Sequence, residues 1–187
     1  SPVPPMALMR EMFKGQFFYQ LYFFEPGVAE AEFEADLRMA LKKFLVMAGG
    51  ETDLSALPVK KEDDDMFSDL PDPGPLPAWV TEADLDFYEA EFKRSGMRGP
   101  LNFYRNHDLT WELTKDAPQT ISQPAFFLAG GNDGVVMMAQ EAIKIMPHFV
   151  TDLRMNKLIP KIGHWTQQEA PEAVNESILA FLKEIDG

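Results

Sequence analysis

The chain has 187 residues, 45% of them hydrophobic and 12% aromatic, enough for one ordinary globular domain with a sizeable core. Thirty acidic against 17 basic residues give a formal charge of −13, which argues against a nucleic-acid or anionic-membrane surface and favours a neutral or cationic small molecule. Without cysteine there is no disulfide framework, thiolate zinc site or thiol nucleophile, and a cytoplasmic location fits; no apolar run approaches the roughly 20 residues of a bilayer span, and SPVPPMALMREMF does not read as a signal peptide.

In chain order, residues 1–29 are aromatic and irregular, with GQFFYQLYFFEPG ending at a Pro-Gly turn; such density suggests a pocket wall or a buried connection. From Glu30 to Ala48, Phe33, Leu37, Leu41, Phe44 and Leu45 recur at helical spacing, and Gly49-Gly50 stops the helix. Residues 51–80 carry KKEDDDMFSDLPDPGPLP, whose prolines, glycine and acids resist periodicity and predict a long surface excursion. Its acids lack the alternating ligands, turn glycine and distant glutamate of a calcium loop, so no metal site is expected there.

Thr81 and Asp84 form a capping-box pattern ahead of a helical stripe of Leu85, Tyr88 and Phe92, and a second helix is expected after Pro100. At Pro124 the pattern changes. PAFFLAGG reads as a buried parallel strand, and DGVVMMAQEAIKIMPH as a helix stopped by Pro147. A second strand is expected around Phe149 to Leu153, then a histidine loop and a helix with Pro171 in its first turn and Val174, Ile178, Phe181 and Ile185 on its apolar face. A helical region up to about Ala117 is thus followed by strand, helix, strand, helix, an α/β order. Two strands and two helices cannot cover both faces of a parallel sheet, so this region reads as the trailing part of a larger one.

Asp133 in AGGND and His164 in IGH each follow an expected strand, where open α/β sheets place functional groups. A carboxylate on one ring nitrogen would leave the other nitrogen as a general base near neutral pH. Equally, Asp133 could cap the following helix and His164 satisfy a turn; spacing alone leaves both readings open. His107 and His148 fall in no comparable setting.

FYQLYFFEPGVAEAEFEADLR, RSGMRGPLNFYRN and GHWTQQEAPEAVNESILAFL resemble, in order and across most of the chain, the soluble epoxide hydrolases of the α/β-hydrolase fold. The resemblance implies a helical cap over residues 1–117 and the C-terminal part of the catalytic core over 118–187, with the last two strands and helices of its sheet. It implies that Tyr19 and Tyr104 hydrogen-bond the epoxide oxygen, that His164 is the general base and that Asp133 orients it. A protonated phenol is suited to a developing alkoxide, whereas phenylalanine would pack alike but donate nothing. By the same resemblance part of the cluster around Tyr22, Phe23 and Phe24 lines an apolar tunnel, although packing alone explains much of it. NDGVV departs slightly from the family's acid-loop spelling, and Asn132 or a neighbouring acid is where that departure would alter the geometry.

The family attacks the epoxide with an aspartate on a strand-to-helix elbow, then hydrolyses the alkyl-enzyme ester. Neither that elbow nor a His-Gly-X-Pro segment is found before Tyr19. The expectation is a fragment of a roughly two-fold longer hydrolase, or one of two pieces that fold together, with the N-terminal half of the same fold as its partner. The resemblance implies a small apolar epoxide and water as substrates, and no cofactor or metal. The sequence does not specify a homodimer but is compatible with one. The competing readings are another α/β hydrolase, such as a haloalkane dehalogenase, against which the two tyrosine motifs argue, and a non-catalytic truncated homologue, against which the retained His164, Asp133, Tyr19 and Tyr104 argue.

Overall fold

A computed structural model describes residues 2–186 of the chain. Two compact units are present, one formed by Ser1–Phe44 and Ser55–Ala117, the other by Leu45–Leu54 and Pro118–Gly187.

The first unit is helical among the described residues, with α1 Pro5–Met12, α2 Tyr19–Phe24, α3 Val28–Ala35, the first part of α4 Leu37–Ala48, α5 Glu82–Ser95, α6 Arg98–Arg105 and α7 His107–Thr114. The N-terminal stretch expected to be irregular therefore holds two helices. Pro5 suits the first turn of α1, where its missing N–H has no intrahelical partner anyway. In α2 the side chains YQLYFF are aromatic or apolar at almost every position, so no polar face revealed the helical period.

The expected single helix from Glu30 to Ala48 is two. Asp36 leaves helical geometry at φ −144° and ψ 79°, and its carboxylate accepts the N–H of Met39 at 3.1 Å, starting α4 as a side-chain cap does. Gly27 supplies the left-handed residue ahead of α3, at φ +89°, and Glu30 reaches back to accept its N–H at 2.9 Å. Helix α5 starts as the sequence predicts, with Thr81 and Asp84 satisfying each other's backbone N–H groups. Helix α6 begins at Arg98, before Pro100, because proline is tolerated in a first turn; Asn106 then separates it from α7.

Phe23, Phe33, Met6 and Leu85 are fully buried in this unit, and Phe33 meets the ring of Phe67 edge-on at 4.8 Å. The 51–80 segment is therefore not purely a surface excursion, since Met66, Phe67, Leu70 and Val80 are buried. Its acids tie down turns: Asp64 accepts the N–H of Lys61, Asp65 that of Ser68 and Asp72 that of Gly74. Glu32 of α3 anchors the same segment by accepting the N–H groups of Met66 and Phe67.

The second unit carries a parallel two-stranded sheet of β1 Ala125–Gly130 and β2 Leu153–Ile159, in register from Phe126 opposite Met155 to Gly130 opposite Ile159. The crossover between them is helical, with α8 Gly134–Met138 and α9 Gln140–Phe149 divided at Ala139. Pro147 does not stop α9 but lies within its last turn. The second strand begins where it was expected to end: Val150 makes only an isolated bridge to Ile121, and the ladder forms over LRMNKLI. The short α10 Thr166–Glu169 and the long α11 Pro171–Asp186 follow, with Phe181 of α11 against Phe126 of β1 at 4.8 Å between ring centroids.

Candidate active site

Both strands end in turns that bear chemistry. After β1, Gly131 and Asn132 turn the chain into Asp133, which precedes α8. After β2, Lys161 takes the left-handed conformation, φ 65°, and Gly163 leads into His164. Parallel pairing of β1 with β2 sets these two turns side by side.

Nδ1 of His164 lies 3.0 Å from Oδ2 of Asp133. The other carboxylate oxygen of Asp133, Oδ1, accepts the N–H of Val135 at 2.8 Å, as the cap of α8. The two readings that spacing left open therefore coexist: one oxygen caps the helix and the other faces the imidazole. Asp133 is buried, at 8% exposure, whereas 45% of the His164 side chain remains exposed. A proton on Nδ1, donated to Asp133, leaves Nε2 with its lone pair, the tautomer a general base needs.

The histidine loop is fastened along its main chain. His164 donates its N–H to the carbonyl of Ala48 at 2.9 Å, and the Trp165 indole donates to the carbonyl of Leu45 at 2.8 Å. Asn132 donates its side-chain amide to the carbonyl of Gly50 and its backbone N–H to that of Ile162. Asn132 thus links the two turns to the Gly49-Gly50 segment. Backbone contact here tolerates only glycine: a Cβ at Gly130 would sit 2.1 Å from the carbonyl oxygen of Gly163, and one at Gly163 2.3 Å from the nitrogen of Gly50.

Glu169 has a place in this site that its sequence setting does not announce. Its carboxylate accepts the N–H groups of Gly50, Gly163 and Trp165. The one signal was an acid closing the polar run TQQE two positions before Pro171, a setting that local rules read only as the approach to the next helix.

In the first unit, Tyr19 on α2 and Tyr104 on α6 meet edge to face, with ring centroids 5.8 Å apart. Phe23 supports both rings, at 5.6 and 5.0 Å. Gln20 donates its side-chain amide to the Tyr19 hydroxyl at 2.9 Å. Burial, with a contribution from Tyr19, pushes the Tyr104 phenol above its ordinary value, so it stays protonated at neutral pH. Arg105 holds the end of α6, gripping both oxygens of Glu30 at 2.6 and 2.8 Å. Tyr22 does a different job: its hydroxyl donates to Glu32 at 2.7 Å, and burial together with that carboxylate raises its pKa. His107 opens α7 with its ring 6.0 Å from that of Tyr104, and His148 lies in α9.

No protein-family model matches the chain. Epoxide hydrolase A of Mycobacterium tuberculosis (strain ATCC 25618 / H37Rv) is 37% identical over 187 residues, which cover 97% of this chain and 57% of that protein. Bifunctional epoxide hydrolase 2 of Sus scrofa is 37% identical over 97% of this chain and 32% of its own length. Among solved structures, epoxide hydrolase A from Mycobacterium thermoresistibile superposes with a TM-score of 0.87 at 36% identity, over 98% of this chain and 57% of that one. An epoxide hydrolase from an endophytic Streptomyces superposes with a TM-score of 0.89 at 35% identity, over the same shares. The chain thus spans from about a third to little more than half of these relatives.

Proposed function

We propose that this chain is part of an epoxide hydrolase of the α/β-hydrolase fold, as its similarity in sequence and structure to such enzymes supports, and that it supplies the acid-histidine pair and the phenol donors for converting an epoxide to a vicinal diol. The observation that carries the reading is the 3.0 Å approach of His164 Nδ1 to a buried Asp133 whose second oxygen is committed to a helix cap. An imidazole so held has one nitrogen left for water.

The chemistry runs in two half-reactions. A carboxylate outside this chain attacks an epoxide carbon, the carbon–oxygen bond breaks and its electron pair goes to oxygen. The hydroxyls of Tyr19 and Tyr104 donate hydrogen bonds to that oxygen, and one of the two phenols passes it a proton as the ring opens, leaving a phenolate. In the second half-reaction Nε2 of His164 takes a proton from water, the hydroxide adds to the ester carbonyl and the diol leaves as the carboxylate re-forms; the proton on the imidazolium then returns to the phenolate. Asp133 stabilises the imidazolium while it lasts. The nucleophile belongs, on this reading, to the part of the relatives' length that the chain does not span, the N-terminal half of the fold. Residues 1–117 then act as cap and 118–187 as the end of the core.

A small apolar epoxide is the proposed substrate, consistent with the aromatic neighbourhood of Tyr19 and Tyr104. Cytoplasmic residence and a homodimer are further proposals, checked by fractionation and analytical ultracentrifugation of the complete enzyme. No helix among the described residues is long and apolar enough to cross a membrane.

The test is single-turnover kinetics of the complete enzyme with styrene oxide. His164→Ala should still form the ester but accumulate it, and the double variant Tyr19→Phe/Tyr104→Phe should lose ring opening by roughly 10²-fold or more. Normal turnover in His164→Ala would sink the assignment. Ring opening untouched in the double tyrosine variant would favour a hydrolase that expels a halide.

A further inference from the structure

Glu169 closes α10 with its carboxylate where two stretches of backbone, at Gly50 and at residues 163–165, converge. Oε2 accepts the N–H of Gly50 at 2.9 Å and that of Gly163 at 2.9 Å, and Oε1 accepts that of Trp165 at 3.1 Å. Gly163 and Trp165 are the residues on either side of His164, and the N–H of His164 itself goes to Ala48. Consecutive backbone donors from 163 to 165 are thus assigned to fixed acceptors, two of them to one carboxylate.

An ionised carboxylate is the side chain suited to this task. It offers several lone-pair sites and no donor, and its bonds to N–H groups are charge-assisted, roughly twice as strong as neutral ones. Glutamine at the same place would offer one oxygen, and its amide N–H₂ would confront a backbone N–H, leaving a partly buried donor unsatisfied. The surroundings cannot relax to absorb that change, because Gly50 and Gly163 touch through their main chains, where even a Cβ would clash.

We infer that Glu169 is a positioning residue for His164: its carboxylate clamps the backbone on both sides of the imidazole and so fixes the direction in which Nδ1 meets Asp133. It acts through the main chain and makes no contact with the reacting atoms. The inference rests on His164 serving as the water-activating base proposed above, and it adds a residue on which that base depends.

The experiment compares wild type and Glu169→Gln in the complete enzyme, following ester formation and ester hydrolysis separately. Glu169→Gln is expected to keep the ester-formation rate within about twofold and to slow ester hydrolysis roughly 10- to 100-fold, as a small misplacement of a catalytic group does, so that ester accumulates. The pH profile of hydrolysis should shift as well, because the contact of Asp133 with the imidazole is altered. A purely structural role predicts otherwise: both rates per folded molecule would match wild type, and that outcome overturns the inference. In parallel, proton NMR of the His164 Nδ1–H gives a readout independent of turnover, expected downfield and protected in wild type and exchange-broadened in the variant. Should wild type form no ester, the functional reading fails, and NMR alone then judges the clamp; an unchanged resonance in Glu169→Gln overturns it. If Glu169→Gln does not fold, Glu169→Asp, which keeps the charge on a stem one methylene shorter, takes its place with the same expected results.

Discussion

The two oxygens of Asp133 do separable work, and substitutions can tell them apart. Asp133→Asn keeps an oxygen to accept the Val135 N–H, but the amide it turns toward Nδ1 is a donor and demands the opposite imidazole tautomer. On the function proposed above, we expect little change in unfolding midpoint, with ester hydrolysis in the complete enzyme reduced on the order of 10⁴-fold, the scale seen when an orienting aspartate is replaced in this way. Asp133→Ala should lose the cap as well, lowering stability by about 1 kcal/mol in urea unfolding. Equal stability losses in the two variants would show that Oδ1 does not cap. Residue-level reasoning reached Asp133 and His164 from their positions after strands, because strand ends are local features. It could not choose between cap and partner, since the carboxylate has two oxygens and one-dimensional spacing does not say where each points.

At the scale of elements, the strand-end turns and the Gly49-Gly50 segment are held together by backbone proximity. Gly163→Ala and Gly130→Ala each place a Cβ within 2.3 Å of main-chain atoms that cannot rotate away. Each should cost about 1 to 3 kcal/mol or more of stability. Gly99→Ala, in the first turn of α6 with nothing within 4 Å of the new atom, serves as the control and should be neutral or stabilising by about 0.5 kcal/mol. Chemical unfolding of the three variants checks the contrast, and a neutral Gly163→Ala would contradict the close approach.

Helix placement shows where local rules run out. Thr81 and Asp84 announced α5 because a capping box lies within four residues. The break at Asp36 was hidden, because Phe33 and Leu37 sit on one apolar stripe whether or not the backbone between them stays helical. The second strand was misplaced because Phe149 and Val150 have higher strand propensity than the chain that forms the ladder, while pairing with β1 selects LRMNKLI.

Over the whole molecule, a charge of −13 coexists with acids that are individually well placed. Arg105 holds Glu30 by hydrogen bonds, with two backbone N–H groups helping against the opposing effect of burial, and lowers its pKa from 4.5 to about 2. A depressed carboxylate contributes stability that is full above its unfolded value and is lost as the pH falls through its folded value. Glu30→Gln should therefore be less stable than wild type at pH 7, with the difference shrinking below about pH 4.5 and vanishing near pH 2. Thermal unfolding across that range tests it; a difference independent of pH would mean that the Glu30 charge does not matter. This pair ties α3 to α6, the helix that carries Tyr104.

By itself the sequence determined the chemistry on offer: no thiol, an acidic surface, helices with readable faces, a strand ending in glycines, and three motifs shared with epoxide hydrolases. Each of these is written within a few consecutive residues, as propensity, periodicity or a short motif. Only the tertiary structure decided that Asp133 serves a cap and an imidazole at once, that Asn132 reaches Gly50, and that Glu169 gathers N–H groups from residues as far as 119 positions away. Backbone donors and acceptors are identical at every position, so which of them will need a side-chain partner becomes defined only when the turns between secondary elements close on one another.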